Sequence, residues 1–259
     1  MEQHCSVDLC KLEEWSKKWL LSFNPEKCKV MHIGHEYRTS YAMEDGSRLK
    51  NLEPTEEEKD LGIVITRDLK SAEQCTQSAK KAQSVLGMVR GHFRILDKED
   101  FIVIYKTYIR PHLEYCVQAW SPHLKKDIEC LERIQRRATK SVKGFKKMEY
   151  NERLKQLGLY TLEKRRLRGD LIEVYKILND KEGTDKAKFF KPALDSHRLR
   201  GHSQKLFKPR CTTTVRRTFF SSRVVNDWNN LPQHVIDAST VNTFKNRLDK
   251  FWKDMGVYS

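Results

Sequence analysis

The side chains of this sequence best placed to do chemistry are basic ones at helical spacing, and that chemistry is binding. Between Leu124 and Val142, the residues Leu124, Ile128, Leu131, Ile134, Ala138 and Val142 recur as one apolar stripe. The opposite face carries Lys125, Lys126, Arg133, Arg136, Arg137, Lys140 and Lys143. Arg136, Arg137 and Lys140 are not alternated with acids, so the stripe is suited to neutralising phosphates and releasing their counterions. Tyr105, Tyr108, Tyr115 and Trp120 could stack on bases, although at helical spacing such residues more often fill a core.

Bond-making chemistry has less support. Nucleotide transfer needs two or three carboxylates converging on paired metal ions, and the chain contains no Asp-Asp dipeptide. It also lacks GxxxxGK, GxGxxG and GxSxG patterns. Cys28, His32 and His35 have the residue types for zinc, but on a strand Cys28 and His32 share a face while His35 points oppositely, and a fourth ligand is missing. His112 and Cys116, one helix turn apart, read as packing neighbours. No cofactor is expected.

The basic groups are unevenly distributed. The 259 residues carry a net charge of +15, yet residues 1–70 hold 11 Lys/Arg against 14 Asp/Glu, leaving 39 against 21 for the remainder. An excess confined to the helical part points to a polyanionic partner such as RNA or DNA. Seven scattered cysteines give no paired framework and suggest reduced thiols inside a cell. Residues 1–6 show no leader pattern and no run is long enough to span a bilayer. The expected location is therefore cytoplasmic or nuclear, with no membrane partner.

These groups must be positioned by an α+β chain that is predominantly helical. Leu9, Leu12, Trp15, Trp19 and Leu20 predict an amphipathic helix ending before Asn24-Pro25. Lys27 to Ile33 alternates as a strand, and Thr39 to Met43 with Ser47 to Leu52 flank Asp45-Gly46 as an antiparallel hairpin. Leu61 to Ile65 reads as a short buried strand behind Glu56-Glu57-Glu58. From Ser71 the period is helical: Cys75, Ala79, Ala82, Leu86 and Val89 form a small-residue stripe. Asp97 caps a helix burying Phe101, Ile104 and Tyr108, which Arg110-Pro111 bends or stops. His112 to Trp120 follows and closes at Ser121-Pro122, and Gly144 ends the basic helix. After Thr161 a helix turns Leu171, Tyr175 and Leu178 inward and Lys164, Arg165, Arg166 and Arg168 outward. Beyond a polar linker, Phe219 to Leu231 is helical, and Ser239 or Thr240 caps a last helix burying Phe244, Leu248, Phe251 and Trp252. Four parts are expected: 1–70, 71–148, 149–180 and 181–259.

Several segments resemble a known family in its own order. LEEWSKKWLLSFNPEKCKVMHIG, residues 12 to 34, is similar to the segment after the catalytic Asp-Asp turn of jockey-like LINE (non-LTR) retrotransposon reverse transcriptases. EKDLGIVI, residues 58 to 65, resembles their primer-grip strand. YKTYIRPHLEYCVQAWSP, residues 105 to 122, and LERIQRRATKSVKG, residues 131 to 144, resemble their thumb. RGHSQKLFKPR, residues 200 to 210, and FFSSRVVNDWNNLP, residues 219 to 232, resemble their C-terminal region. The resemblance implies that Leu61 and Gly62 form the turn supporting a primer end, and that Arg133, Arg136, Arg137 and Lys140 track the minor groove of a template-primer. It places the end of a palm in 1–70 and a thumb in 71–148. Fingers, most of the palm and the catalytic aspartates have no counterpart, so magnesium would belong to a part not in this chain. The implied function is a truncated fragment that binds RNA and DNA without catalysis. The alternatives are part of an incompletely represented RNA-directed DNA polymerase, which would then be a partner, or a captured fragment serving as a protein-interaction module.

Overall fold

Residues 2–34, 39–45, 48–93, 95–193 and 201–254 are described by a computed structural model, and the fold is α+β and predominantly helical. The chain divides after Glu73 into two units. The expected parts 71–148, 149–180 and 181–259 lie almost wholly within the second.

In the first unit, α1 (Glu2–Trp19) stops at Leu20, whose φ of 53° leaves the helical region before Asn24-Pro25. Its apolar stripe is not buried. Leu12, Trp15 and Trp19 are 47%, 48% and 60% exposed, and the side turned inward carries Leu9 and the buried Ser16, whose hydroxyl donates to the Leu21 carbonyl at 2.5 Å. Periodicity identified the helix but not the face its neighbours cover. The strand expected over 27–33 shrinks to β1 (Lys29–Val30), paired in parallel with β4 (Glu53–Pro54), where Pro54 has no N–H to extend the ladder. β2 (Ala42–Asp45) and β3 (Arg48–Asn51) form an antiparallel hairpin as expected, but Asp45 pairs with Arg48 within the ladder and is not part of the turn; the two residues between the strands lie outside the described set.

The acidic run supplies a strand that apolar patterning missed. β5 (Glu57–Asp60), exposed throughout, pairs antiparallel with β6 (Ile63–Thr66), and Asp60 opposite Ile63 leaves Leu61-Gly62 as a two-residue turn. Both turn residues have positive φ, 45° and 86°, as hairpins that follow the natural strand twist require. Ile63 and Val64 are buried.

The second unit begins along α2 (Ala72–His92), which buries Cys75, Ala79, Ala82 and Leu86, with Val89 half-buried. Asp97 caps α3 (Lys98–Ile104) by accepting from the Asp100 amide at 2.8 Å. The helix then widens into a π-helical turn over Tyr105–Ile109, with the Arg110 amide reaching the Tyr105 carbonyl, and continues as α4 (Arg110–Glu114). Pro111 explains the widening: in an α-helix its ring would press on the carbonyl four residues back. The extra residue also resets the buried face. Phe101, Tyr105, Ile109 and Leu113 are buried at intervals of four, whereas Tyr108, expected inside, is 60% exposed. In a plain α-helix positions four apart drift by about 40° per step, which the wider turn offsets. Cys116, in the left-handed conformation, separates α4 from α5 (Val117–Trp120), so His112 and Cys116 do not share a helix turn.

α6 (Lys125–Thr139) is shorter than expected because its exit is taken over by a parallel bridge between Leu96 and Val142, with the Lys143 amide bonding the Leu96 carbonyl at 2.9 Å. Gly144 (φ 81°) turns the chain after that bridge and does not cap the helix. After α7 (Tyr150–Leu157), Thr161 caps α8 (Leu162–Leu178) through the Lys164 amide. α8 packs against α5, α6 and two C-terminal helices. Hence it has no broad solvent face, and arginines expected outward are drawn in. Arg165 pairs with Glu114, Arg168 forms a two-pronged pair with Asp249 at 2.7 and 2.8 Å, and Arg166 is 3% exposed.

The C-terminal segments are α9 (Thr214–Thr218), α10 (Phe220–Arg223), α11 (Val225–Asn229), α12 (Gln233–Ile236) and α13 (Val241–Asp254). The helix expected over 219–231 is thus split into two short pieces. Leu171, Tyr175, Trp228, Phe244, Leu248 and Trp252 share one apolar core. Tyr175 stacks on Phe244 at 4.4 Å and donates to the Ala238 carbonyl at 2.6 Å. Thr240 caps α13 through the Thr243 amide. No described helix is long and apolar enough to cross a membrane.

Candidate nucleic-acid interface

The rotation of α6 is fixed by its inner face. Leu131, Ile134 and Ala138 are buried there, and among them sits the fully buried amide of Gln135. Its oxygen accepts from the Tyr105 hydroxyl, while its nitrogen donates to the Tyr150 hydroxyl at 2.8 Å and the Tyr160 carbonyl at 3.0 Å. Tyr150 in turn donates to Glu132, whose other oxygen accepts the Leu162 amide at 2.9 Å. Burial raises the Glu132 carboxyl above its usual range, opposed by those two hydrogen bonds. Burial, with Glu132 beside it, pushes the Tyr150 phenol well up. A directional network of this kind leaves α6 one orientation.

That orientation turns Arg133, Arg136, Arg137 and Lys140 to the surface, and Lys143, beyond the end of the helix, is exposed as well. They are not equivalent. Arg136 pairs with Glu129 at 2.6 Å and lies 5.0 Å over the Tyr150 ring, so its charge is partly spent locally. Arg137 donates to the Gln83 side chain at 3.1 Å, which steadies it without neutralising it. Arg133, Lys140 and Lys143 make no side-chain hydrogen bond or ion pair among the described residues. Arg90 on α2 joins the group: it donates to the Arg137 carbonyl at 2.5 Å and the Ser141 hydroxyl at 3.0 Å, with no carboxylate partner among the described residues. The sequence marks α2 by its small-residue stripe, and a basic residue in its last turn is the one signal that points to Arg90.

Cations carried on one helix of fixed rotation, with few neutralising acids, can take phosphate oxygens without first giving up partners. Of the four aromatics suited to stacking, Tyr105 and Trp120 belong to the core, and Tyr108 and Tyr115 are 60% and 58% exposed. In the first unit, Leu61 stands 83% exposed at the tip of the β5-β6 hairpin beside Gly62, in a conformation L-residues seldom adopt. No group of three His, Cys, Asp or Glu able to hold a metal occurs among the described residues, and His35 lies outside them. Searches of protein-family models, curated proteins and solved structures match nothing to this chain.

Proposed function

We propose that this chain is the nucleic-acid-gripping part of a LINE-type reverse transcriptase, holding an RNA-DNA template-primer through α6 and contributing no catalytic carboxylate. The observation that carries the reading is the uncompensated set Arg133, Arg137 and Lys140 on a helix whose rotation is locked from behind. The strongly basic excess after residue 70 and the ordered family resemblance support it. In the same reading Leu61 and Gly62 steady a primer end, which gives a reason for an exposed leucine at a strained turn. The residues for nucleotide transfer, and any magnesium, would belong to other parts of a polymerase.

Fluorescence anisotropy with an RNA-DNA hybrid tests it. Arg133→Ala with Lys140→Ala should weaken binding to all sequences alike and flatten the logarithmic salt dependence by roughly two units, at about 0.9 per phosphate contact. Arg136→Ala should do less, because Arg136 already pairs with Glu129. Exposed substitutions cost within about 0.5 kcal/mol, so folding is preserved. An unchanged slope in the folded double variant refutes the α6 contact. The exposed Leu12, Trp15 and Trp19 favour a second reading, a protein-docking role for the first unit. Partner capture that survives high salt, with no affinity for RNA or DNA, selects it.

A further inference from the structure

We infer that the second unit carries another nucleic-acid surface, built around Phe219 and Arg216, that is specific for single strands. Residues 196–226 contain eight Lys/Arg and no Asp or Glu. Within this stretch Phe207 is 50% exposed and Phe219 44%. The Arg216 guanidinium lies 5.4 Å over the Phe219 ring, and Arg210, Arg216 and Arg217 are exposed with no ion-pair partner among the described residues. Arg223 is excluded from the surface, because it is held by Asp170 at 2.9 Å and by the Gln118 carbonyl.

Phe219 and its neighbouring cations are positioned by the core beneath them. Phe220, the next residue, is buried among Phe190 and Arg223. That anchor leaves Phe219 at the surface at the start of α10. The Ser222 amide bonds the Phe219 carbonyl at 2.9 Å, and the Ser222 hydroxyl meets the Cys211 thiol at 3.8 Å, which draws Pro209–Cys211 alongside the same helix turn. Upstream, the Leu206 amide and carbonyl are both tied to the Asn229 side chain at 2.8 Å. The irregular 204–211 segment is therefore fixed at both ends.

A surface of this composition distinguishes polynucleotides by the faces their bases offer. In a duplex the base faces are already stacked and an external ring finds only backbone. An unpaired base can lie against Phe219 while its phosphates meet Arg210, Arg216 and Arg217. The α6 stripe has no aromatic ring displayed in this way beyond Tyr150, over which both Arg136 and Arg153 lie, at 5.0 and 5.4 Å.

The test is anisotropy of the full chain with labelled oligouridine of about 20 nucleotides, longer than typical single-strand site sizes, with oligodeoxythymidine and a blunt duplex of equal length. Phe219→Leu should weaken oligouridine binding roughly ten-fold and leave the duplex unchanged. Arg216→Ala with Arg217→Ala should flatten the single-strand salt slope by about 1.4 units, at roughly 0.7 per phosphate. Equal losses on oligouridine and oligodeoxythymidine assign the surface to single strands of either sugar, and a loss on oligouridine alone assigns it to RNA. Phe207→Leu, on a separate segment, repeats the test should Phe219→Leu disturb α10. Unchanged single-strand affinity in both folded leucine variants overturns the inference. So does an equal loss on duplex, or displacement by polyglutamate that is indifferent to Phe219, which would mark a general anion surface. If Arg133→Ala with Lys140→Ala lowers hybrid binding while the leucine variants change nothing, this inference fails and the α6 reading stands.

Discussion

Gln135→Leu should cost the second unit about 3 kcal/mol, because it removes the hub of a buried network while keeping nearly the same volume. The Tyr105 hydroxyl, on a residue with no exposed surface, would lose the acceptor it has in Gln135. A buried donor stranded this way costs roughly 1–3 kcal/mol. The bonds from the amide nitrogen to Tyr150 and the Tyr160 carbonyl also vanish, adding about 1 kcal/mol. Tyr150 keeps Glu132 as its acceptor, which caps the loss. Tyr105→Phe alone should cost about 1–2 kcal/mol by stranding the Gln135 oxygen, since the ring and its stacking on Phe101 at 5.5 Å are retained. The double variant removes both stranded atoms, so it should fall short of the sum of the singles by roughly 1–2 kcal/mol. Urea unfolding followed by helical circular dichroism measures all three. A Gln135→Leu protein within about 0.5 kcal/mol of the parent, or strictly additive losses, would show that the network does not lock α6.

Asp97→Ala should cost about 1 kcal/mol by freeing the Asp100 amide, seen as a lower urea midpoint. Leu61→Asn should stabilise the β5-β6 hairpin by up to about 1 kcal/mol, because Asn tolerates positive φ better than Leu; slower amide hydrogen exchange in β5 and β6 checks it. Burial raises the phenols of Tyr105, Tyr150 and Tyr175 above their ordinary value. Raised folded values mean that their contribution is complete below the unfolded value near 10 and is lost as pH rises toward the folded values. The urea midpoint should accordingly be insensitive to these groups up to about pH 9 and fall above about pH 10; a flat profile there would contradict their burial.

What could be read in advance was local. Asp97 and Thr240 cap helices through amides three residues on, an interaction contained in a few consecutive residues. The outward set on α6 followed from a single apolar stripe. What could not be read depends on what lies opposite. Arg165, Arg166 and Arg168 looked like a solvated face because nothing in their own helix shows that Glu114 and Asp249 await them from elsewhere. The α1 stripe erred in the other direction, apolar by pattern yet exposed. Glu132 and Gln135 gave no signal of burial, since a polar residue inside a helix declares itself only through partners far along the chain. The same holds for the candidate surfaces: Arg90 reaches α6 across 47 residues, and the Phe219 surface depends on how Phe220 and Asn229 anchor their surroundings.

The wide turn at Tyr105–Ile109 has a bearing on descent as well as on packing. A helix that carries one residue more than its hydrogen-bond ladder needs is a helix in which a residue can be lost without moving either end. Lys106 and Thr107 are exposed, and deleting either would let the turn tighten to ordinary α-helical spacing while Phe101 and Tyr105 before it kept their places. Elsewhere in these helices a single deletion swings every following side chain by about 100°. Chains descended from a common ancestor with this one should therefore differ in length by one residue at this turn more readily than in α2 or α8, with the loss accompanied by replacement of Pro111, whose ring the wide turn accommodates.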